Sequence, residues 1–140
     1  MNKLPRGLRN KNPLNIRLSN NAWLGKTSSP NEREFEVFEH TLYGIRAAFV
    51  CIRTHMRRIA RKGIVPTTER VLKIWAPPSE NDTWAYIGIV YHHSGGRIHG
   101  NTCLNFSDKE QMVLLLWAMS FAENGIDLPI EDFEKAYDMV

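Results

Sequence analysis

Met112-Val113-Leu114-Leu115-Leu116-Trp117-Ala118-Met119-Ser120-Phe121 is apolar almost all the way round. A helix with no polar face has to be wrapped by other elements, so this stretch predicts the buried centre of a small domain. Ser107-Asp108-Lys109-Glu110 in front of it reads as a capping box, and Gly125 closes it. Beyond it, Ile130, Phe133, Tyr137 and Val140 recur at helical steps and predict a last amphipathic helix over 130–140.

Working back from the centre, Trp84 to His93 predicts a helix with Ile87, Val90 and Tyr91 facing inward, ended by Ser94-Gly95-Gly96. Thr68 to Trp75 predicts another, capped by Thr67. Between them runs Trp75-Ala76-Pro77-Pro78-Ser79-Glu80-Asn81-Asp82-Thr83. The paired prolines stop the first helix, because proline lacks an amide donor and clashes with the preceding turn. Asp82 or Thr83 can cap the next. Two carboxylates, an amide and a hydroxyl sit on this stiff loop, flanked by Trp75 and Trp84. That set suits general acid chemistry on a sugar or acyl substrate. It equally suits a well-capped turn.

Leu42, Ile45, Phe49, Ile52, Met56 and Ile59 define a strong helix over Leu42 to Lys62, with Thr41 as its cap and Gly63 as its end. Its other faces carry Arg46, Arg53, Arg57, Arg58, Arg61 and Lys62. These read as a solvated face, since no aromatic platform for bases is interleaved with them. Before this helix, Ala22-Trp23-Leu24 and Glu34 to Glu39 predict a short hairpin, with Lys26 to Arg33 as its turn and Phe35 and Val37 on the buried face. Residues 5–25 are too rich in Asn, Gly and Pro for a long helix. Their Arg6, Asn10, Asn12, Asn15 and Arg17 supply amide and guanidinium donors. These read either as turns held by side-chain hydrogen bonds or as the lining of a cleft for acetamido and hydroxyl groups. The sum is one mainly α domain over residues 1–140 with a small hairpin near its N-terminus.

Charge is divided unevenly. Residues 1–73 hold 15 Lys and Arg against 5 Asp and Glu, a net of +10, and residues 74–140 hold 3 against 10, a net of −7. The acidic half of the chain is the simplest partner for the basic half; nucleic acid or an anionic wall polymer are the others. Cys51 and Cys103 share no metal-ligand spacing and read as reduced thiols. His92, His93 and His99 lack a Cys or carboxylate at ligand spacing, so neither metal nor cofactor is expected. No run is long and apolar enough to span a membrane. Met1-Asn2-Lys3-Leu4-Pro5-Arg6 has no apolar leader, so synthesis in the cytoplasm without a signal peptide is expected.

Arg6-Gly7-Leu8-Arg9-Asn10-Lys11-Asn12-Pro13-Leu14-Asn15-Ile16-Arg17, Trp23-Leu24-Gly25, Phe35-Glu36-Val37-Phe38, Tyr43-Gly44-Ile45-Arg46-Ala47 and the loop from Trp75 to Ile87 follow one another in a distinctive order. Together they resemble phage and prophage proteins of lysozyme-like character, described either as virion structural proteins or as transglycosylases that degrade peptidoglycan. The Asn-Pro-Leu-Asn-Ile word and the hairpin after it also resemble wall-degrading glucosaminidases. The resemblance spans residues 6–92. It implies a lysozyme-like fold, peptidoglycan glycan strands as substrate, other virion proteins as partners, and action on the cell wall or within a virion. Two positions depart from the pattern. Leu14 stands where the family commonly has Gly, and no carboxylate precedes Glu32, although lysozyme-like enzymes place the catalytic Glu on a helix ahead of the hairpin.

The acid is then sought in the hairpin (Glu32, Glu34, Glu36 or Glu39) or at Glu80. Glu39 ends the strand where a cleft can open. Glu80 has better neighbours, with Asp82 and Thr83 to orient water or substrate and the two tryptophans to exclude solvent. Arg6, Asn10, Asn12 and Asn15 are expected beside this loop, and Arg17, Trp23, Trp75, Asn81, Trp84 and Tyr86 complete the expected lining. A non-catalytic virion or wall-binding module on the same fold, and a nucleic-acid binder using Arg46 to Lys62, are the competing functions.

Overall fold

A computed structural model describes residues 4–140. The leaderless reading rests in part on Met1, Asn2 and Lys3, which lie outside the described residues. The elements in order are α1 (Arg6–Arg9), β1 (Lys26–Thr27), β2 (Val37–Phe38), α2 (Thr41–Arg61), α3 (Thr68–Trp75), α4 (Thr83–His93), α5 (Lys109–Asn124) and α6 (Ile130–Asp138). The fold is mainly α, with one antiparallel pair of strands in which Lys26 faces Phe38 and Thr27 faces Val37.

The apolar stretch at 112–121 lies where its composition requires. Met112, Leu115, Leu116, Ala118 and Met119 of α5 are fully enclosed. Helices α4 and α6 pack along α5, α2 packs on α6 and α3, and α1 touches α5. The stripe of α2 predicted as core, Ile45, Phe49, Ile52, Met56 and Ile59, joins the same hydrophobic cluster. Gly63 and Gly125 follow α2 and α5 at φ of 75° and 69°, the left-handed region where a Cβ is penalised.

Caps differ by one residue in two places. Thr67 and Asp82 cap α3 and α4, accepting from the amides of Arg70 and Ala85. Thr41, however, is already helical, and His40 takes the cap of α2, its Nδ1 accepting from the Leu42 amide at 3.1 Å. The cap of α5 is Asp108 rather than Ser107, and it accepts from the Gln111 amide at 3.1 Å. Gln111 turns outward to the Asn105 amide and the Cys103 carbonyl, so no reciprocal box forms. The deciding quantity is backbone: a cap must be non-helical while its side chain reaches an amide two or three residues on. Tyr91 is half-exposed rather than inward, because α4 is apolar all round but covered on one side.

The hairpin departs further. Strand β1 is Lys26–Thr27, inside the stretch read as turn, and Ala22-Trp23-Leu24 lies outside it. The buried face belongs to Glu36 and Phe38, while Phe35 and Val37 are half-buried. Alternation defines two faces but cannot choose between them when both carry apolar residues. Here the choice falls to an ion pair between the fully buried Glu36 and the partly exposed Lys26. Glu36 meets Lys26 Nζ at 3.1 Å and accepts from the Ser19 amide and hydroxyl at 3.3 Å each.

Among the described residues the two oppositely charged halves form no ion pair with each other; every ion pair there stays within its own half. Arg6–Glu32, Arg6–Glu34, Arg17–Glu34, Lys26–Glu36 and Lys73–Glu69 lie in one. His93–Asp127, Arg97–Glu110 and Lys109–Asp138 lie in the other. No helix among the described residues is long and apolar enough to cross a membrane.

Candidate functional site

Residues 14–23, the α2 face of Cys51 and His55, the end of α3 with the prolyl loop, and the end of α5 meet around a cleft of about 380 Å³. Leu14, Asn15, Arg17, Ser19, Asn21, Trp23 and Phe35 line one part, and Ile74, Trp75, Glu80, Asn81 and Glu123 another.

Glu123 is the best-held carboxylate of the cleft. One oxygen accepts from Asn15 Nδ2 at 2.9 Å. The other accepts from Tyr86 Oη at 2.8 Å and Trp75 Nε1 at 3.3 Å. These donors come from the N-terminal loop, α4 and α3, so three segments converge on one side chain of α5. Burial first, and then the charge of Glu123, push the Tyr86 phenol far above its ordinary pKa, which keeps it a donor. Asn15 holds its place at φ 54°, a left-handed conformation that Asn tolerates better than most residues. Gly7 makes room: a Cβ there would lie 2.8 Å from Oδ1 of both Asn15 and Asn124, and 2.9 Å from the Asn12 carbonyl.

Glu80 also lines the cleft, from the exposed prolyl loop, with Asn81 beside it. The loop is a tight turn in which the amides of Glu80 and Asn81 both donate to the Pro77 carbonyl at 2.9 Å. Thr83 is buried and clamps the loop shut, its hydroxyl donating to the Ala76 carbonyl at 2.5 Å. Asp82 is occupied as the α4 cap. Thr83 therefore presents no free hydroxyl to orient water at Glu80, and Asp82 has one oxygen committed to the helix. Trp84 does not wall Glu80: it is 61% exposed and stands outside the cleft with Lys73 Nζ 5.5 Å from its ring centre.

The basic loop residues divide. Asn15, Arg17 and Trp23 reach the cleft, as do Trp75 and, through Glu123, Tyr86. Arg6 and Asn10 turn away from the prolyl loop and bind Glu32 of the hairpin turn, Arg6 with two bonds at 2.7 and 2.8 Å and Asn10 at 2.7 Å. Arg6, above all, holds Glu32 far below the usual carboxylate range, helped by Asn10 and the amides of Glu34 and Phe35. Asn12 is buried and structural, donating to the carbonyls of Ile16 and Glu36 and accepting from the Ile16 amide, all at 3.0 Å. Glu39 is exposed and away from the cleft, its amide bonded to the Gly25 carbonyl.

Sequence reasoning missed Glu123, His55 and Cys51. For Glu123 a signal exists: it is a carboxylate in the last turn of α5, where the helix dipole disfavours negative charge, and no basic residue shares that turn. A local rule broken without a local remedy marks a site. His55 lies edge-on to Trp75 at 6.4 Å, with Nδ1 buried and unbonded, and burial followed by Arg58 lowers its pKa. Burial pushes the Cys51 thiol up to about 11, which removes it as a nucleophile. The Nε1 of Trp23 is likewise buried without a partner.

No family model matches the chain. It is 35% identical over 128 residues to Protein P5 of Pseudoalteromonas phage PM2, an alignment covering 89% of this chain and 74% of that protein. With identity at that level along most of both chains, this protein belongs to the family of the phage PM2 Protein P5.

Proposed function

We propose that the cleft binds and cleaves the glycan strands of peptidoglycan, as the lysozyme-like resemblance implies. The observation that carries this reading is Glu123, held by three donors in a cleft that it shares with Glu80. Most glycoside-cleaving enzymes use two carboxyl groups in different surroundings. Glu123, on a rigid helix and fixed by Asn15, Trp75 and Tyr86, suits the carboxylate that faces positive charge developing on the sugar. Glu80, on the exposed loop, suits the proton donor once a bound sugar excludes water from it. Trp23, Phe35 and Trp75 supply apolar surface for sugar rings, and Asn15, Asn21 and Arg17 supply polar contacts.

Purified protein incubated with cell-wall sacculi should release muropeptides, read by mass spectrometry; anhydro ends mark a transglycosylase and reducing ends a hydrolase. Glu123→Gln and Glu80→Gln should each cut release by roughly two to four orders of magnitude. Absence of release at every pH where the protein is folded overturns the proposal. One observation favours a non-catalytic wall-binding or virion module instead: both oxygens of Glu123 are already engaged. That reading is supported by capture on sacculi without release, unchanged in Glu80→Gln.

A further inference from the structure

On the side of α2 away from Cys51 and His55, Arg53 and Arg57 line a second groove of about 370 Å³, closed by Ala60, Pro66, Asn105, Phe106 and Ser107. Arg53 lies over the Phe106 ring at 5.5 Å. Among the described residues, the side chains of Arg53, Arg57, Arg58, Arg61 and Lys62 make no ion pair with a carboxylate. The helix dipole accounts for cations in the last turn of α2, namely Arg58, Arg61 and the adjoining Lys62. It does not account for Arg53 and Arg57, which lie further back. The chain then turns at Gly63 and exposes two aliphatic residues, Ile64 at 43% and Val65 at 51%, immediately before Pro66, which lines the groove.

We propose that this face docks on an anionic phospholipid surface, with headgroup phosphates in the groove against Arg53 and Arg57 and the Ile64-Val65 tip set at the boundary between headgroups and acyl chains. Arginine suits phosphate because its planar donors engage two oxygens at once. Each basic residue near an anionic surface adds to binding, and a shallow apolar tip adds area that water would otherwise cover. Nucleic acid is the weaker fit. Phe106 packs on Tyr137 at 5.5 Å with Arg53 over its ring, so it offers bases little open face, and Ile64 and Val65 have no role against a phosphate backbone. The face is separate from the cleft, so a glycan and a lipid surface can be held together.

Flotation of the full chain with vesicles tests this. Phosphatidylcholine vesicles containing roughly a third phosphatidylglycerol should carry the protein, and pure phosphatidylcholine should not. Arg53→Gln with Arg57→Gln should weaken binding about thirtyfold. Ile64→Ser with Val65→Ser, which leaves the charge unchanged, should weaken it about tenfold. These residues are exposed or half-exposed, and circular dichroism of each variant checks the fold. The proposal is overturned by equal binding to both vesicles, by absence of binding, or by full binding of the Ile64-Val65 variant. Gel retardation of duplex DNA that depends on Arg53 and Arg57 but not on Ile64 and Val65, without vesicle binding, assigns the face to nucleic acid instead.

Discussion

Gly7 shows how much of the candidate site hangs on a missing side chain. A Cβ at that position meets a backbone carbonyl as well as Asn15 and Asn124, and the carbonyl cannot rotate away. Gly7→Ala should therefore cost about 1–3 kcal/mol of stability and loosen Asn15 from Glu123. A thermal melt measures the first; an unchanged Tm counts against the tight seat described for Glu123. Glu32 makes a pH-dependent contribution. Its carboxyl, ordinarily near 4.5, is held much lower in the folded protein, chiefly by Arg6. A folded pKa below the unfolded one means that the stabilisation is present above the unfolded value. It is lost as pH falls from there towards the folded value, because the unfolded chain takes up the proton first. Tm should drop as pH falls from about 5 to about 3, and Glu32→Gln should flatten part of that drop. A variant whose profile parallels the parent shows that Glu32 is not a source of the acid sensitivity.

At the scale of elements, the hairpin is too short to hold itself. Two residue pairs form its ladder, and a two-stranded pair is marginal in water even when longer. The Glu36–Lys26 pair stabilises it, and Lys26 Nζ also donates to the carbonyls of Ser19 and Asn21 at 2.7 and 3.1 Å, tying the cleft wall to β1. Lys26→Met strands a buried carboxylate and should cost roughly 3–5 kcal/mol. Adding Glu36→Gln should restore much of that loss, since the uncompensated charge is then gone. Urea unfolding of both variants makes the comparison; equal losses show that the lysine acts through its backbone contacts rather than through the ion pair.

At the scale of the whole molecule, α5 is enclosed by α4 and α6 on its flanks, and Phe133 of α6 is fully buried in the shared core. Phe133→Ala should destabilise by about 3–5 kcal/mol, with fluorescence and circular dichroism melting together because one hydrophobic cluster spans α2 to α6. Separate transitions by the two probes show that α6 melts independently of the core. Among the described residues the basic and acidic halves also form no ion pair with each other, which leaves the Arg53 and Arg57 face available to a ligand.

Apolar pattern determined the helices α2 to α6, since a stripe at 3.6-residue spacing or an all-apolar run has few ways to be buried, but it did not show the four-residue α1. Helix order, the Pro77-Pro78 stop and the caps at Thr67 and Asp82 follow from local chemistry for the same reason. What the tertiary structure decided is which side chains meet. Glu123 lies 108 residues from the Asn15 that binds it, and no spacing rule joins them. Arg6 and Asn10 have donors suited to any carboxylate, and the fold brings Glu32 rather than Glu80 within their reach. The face of the hairpin was settled in the same way. A two-residue period leaves two choices, and the Lys26–Glu36 pair, with Phe38 in the core, selected the one that hydrophobic pattern alone disfavours.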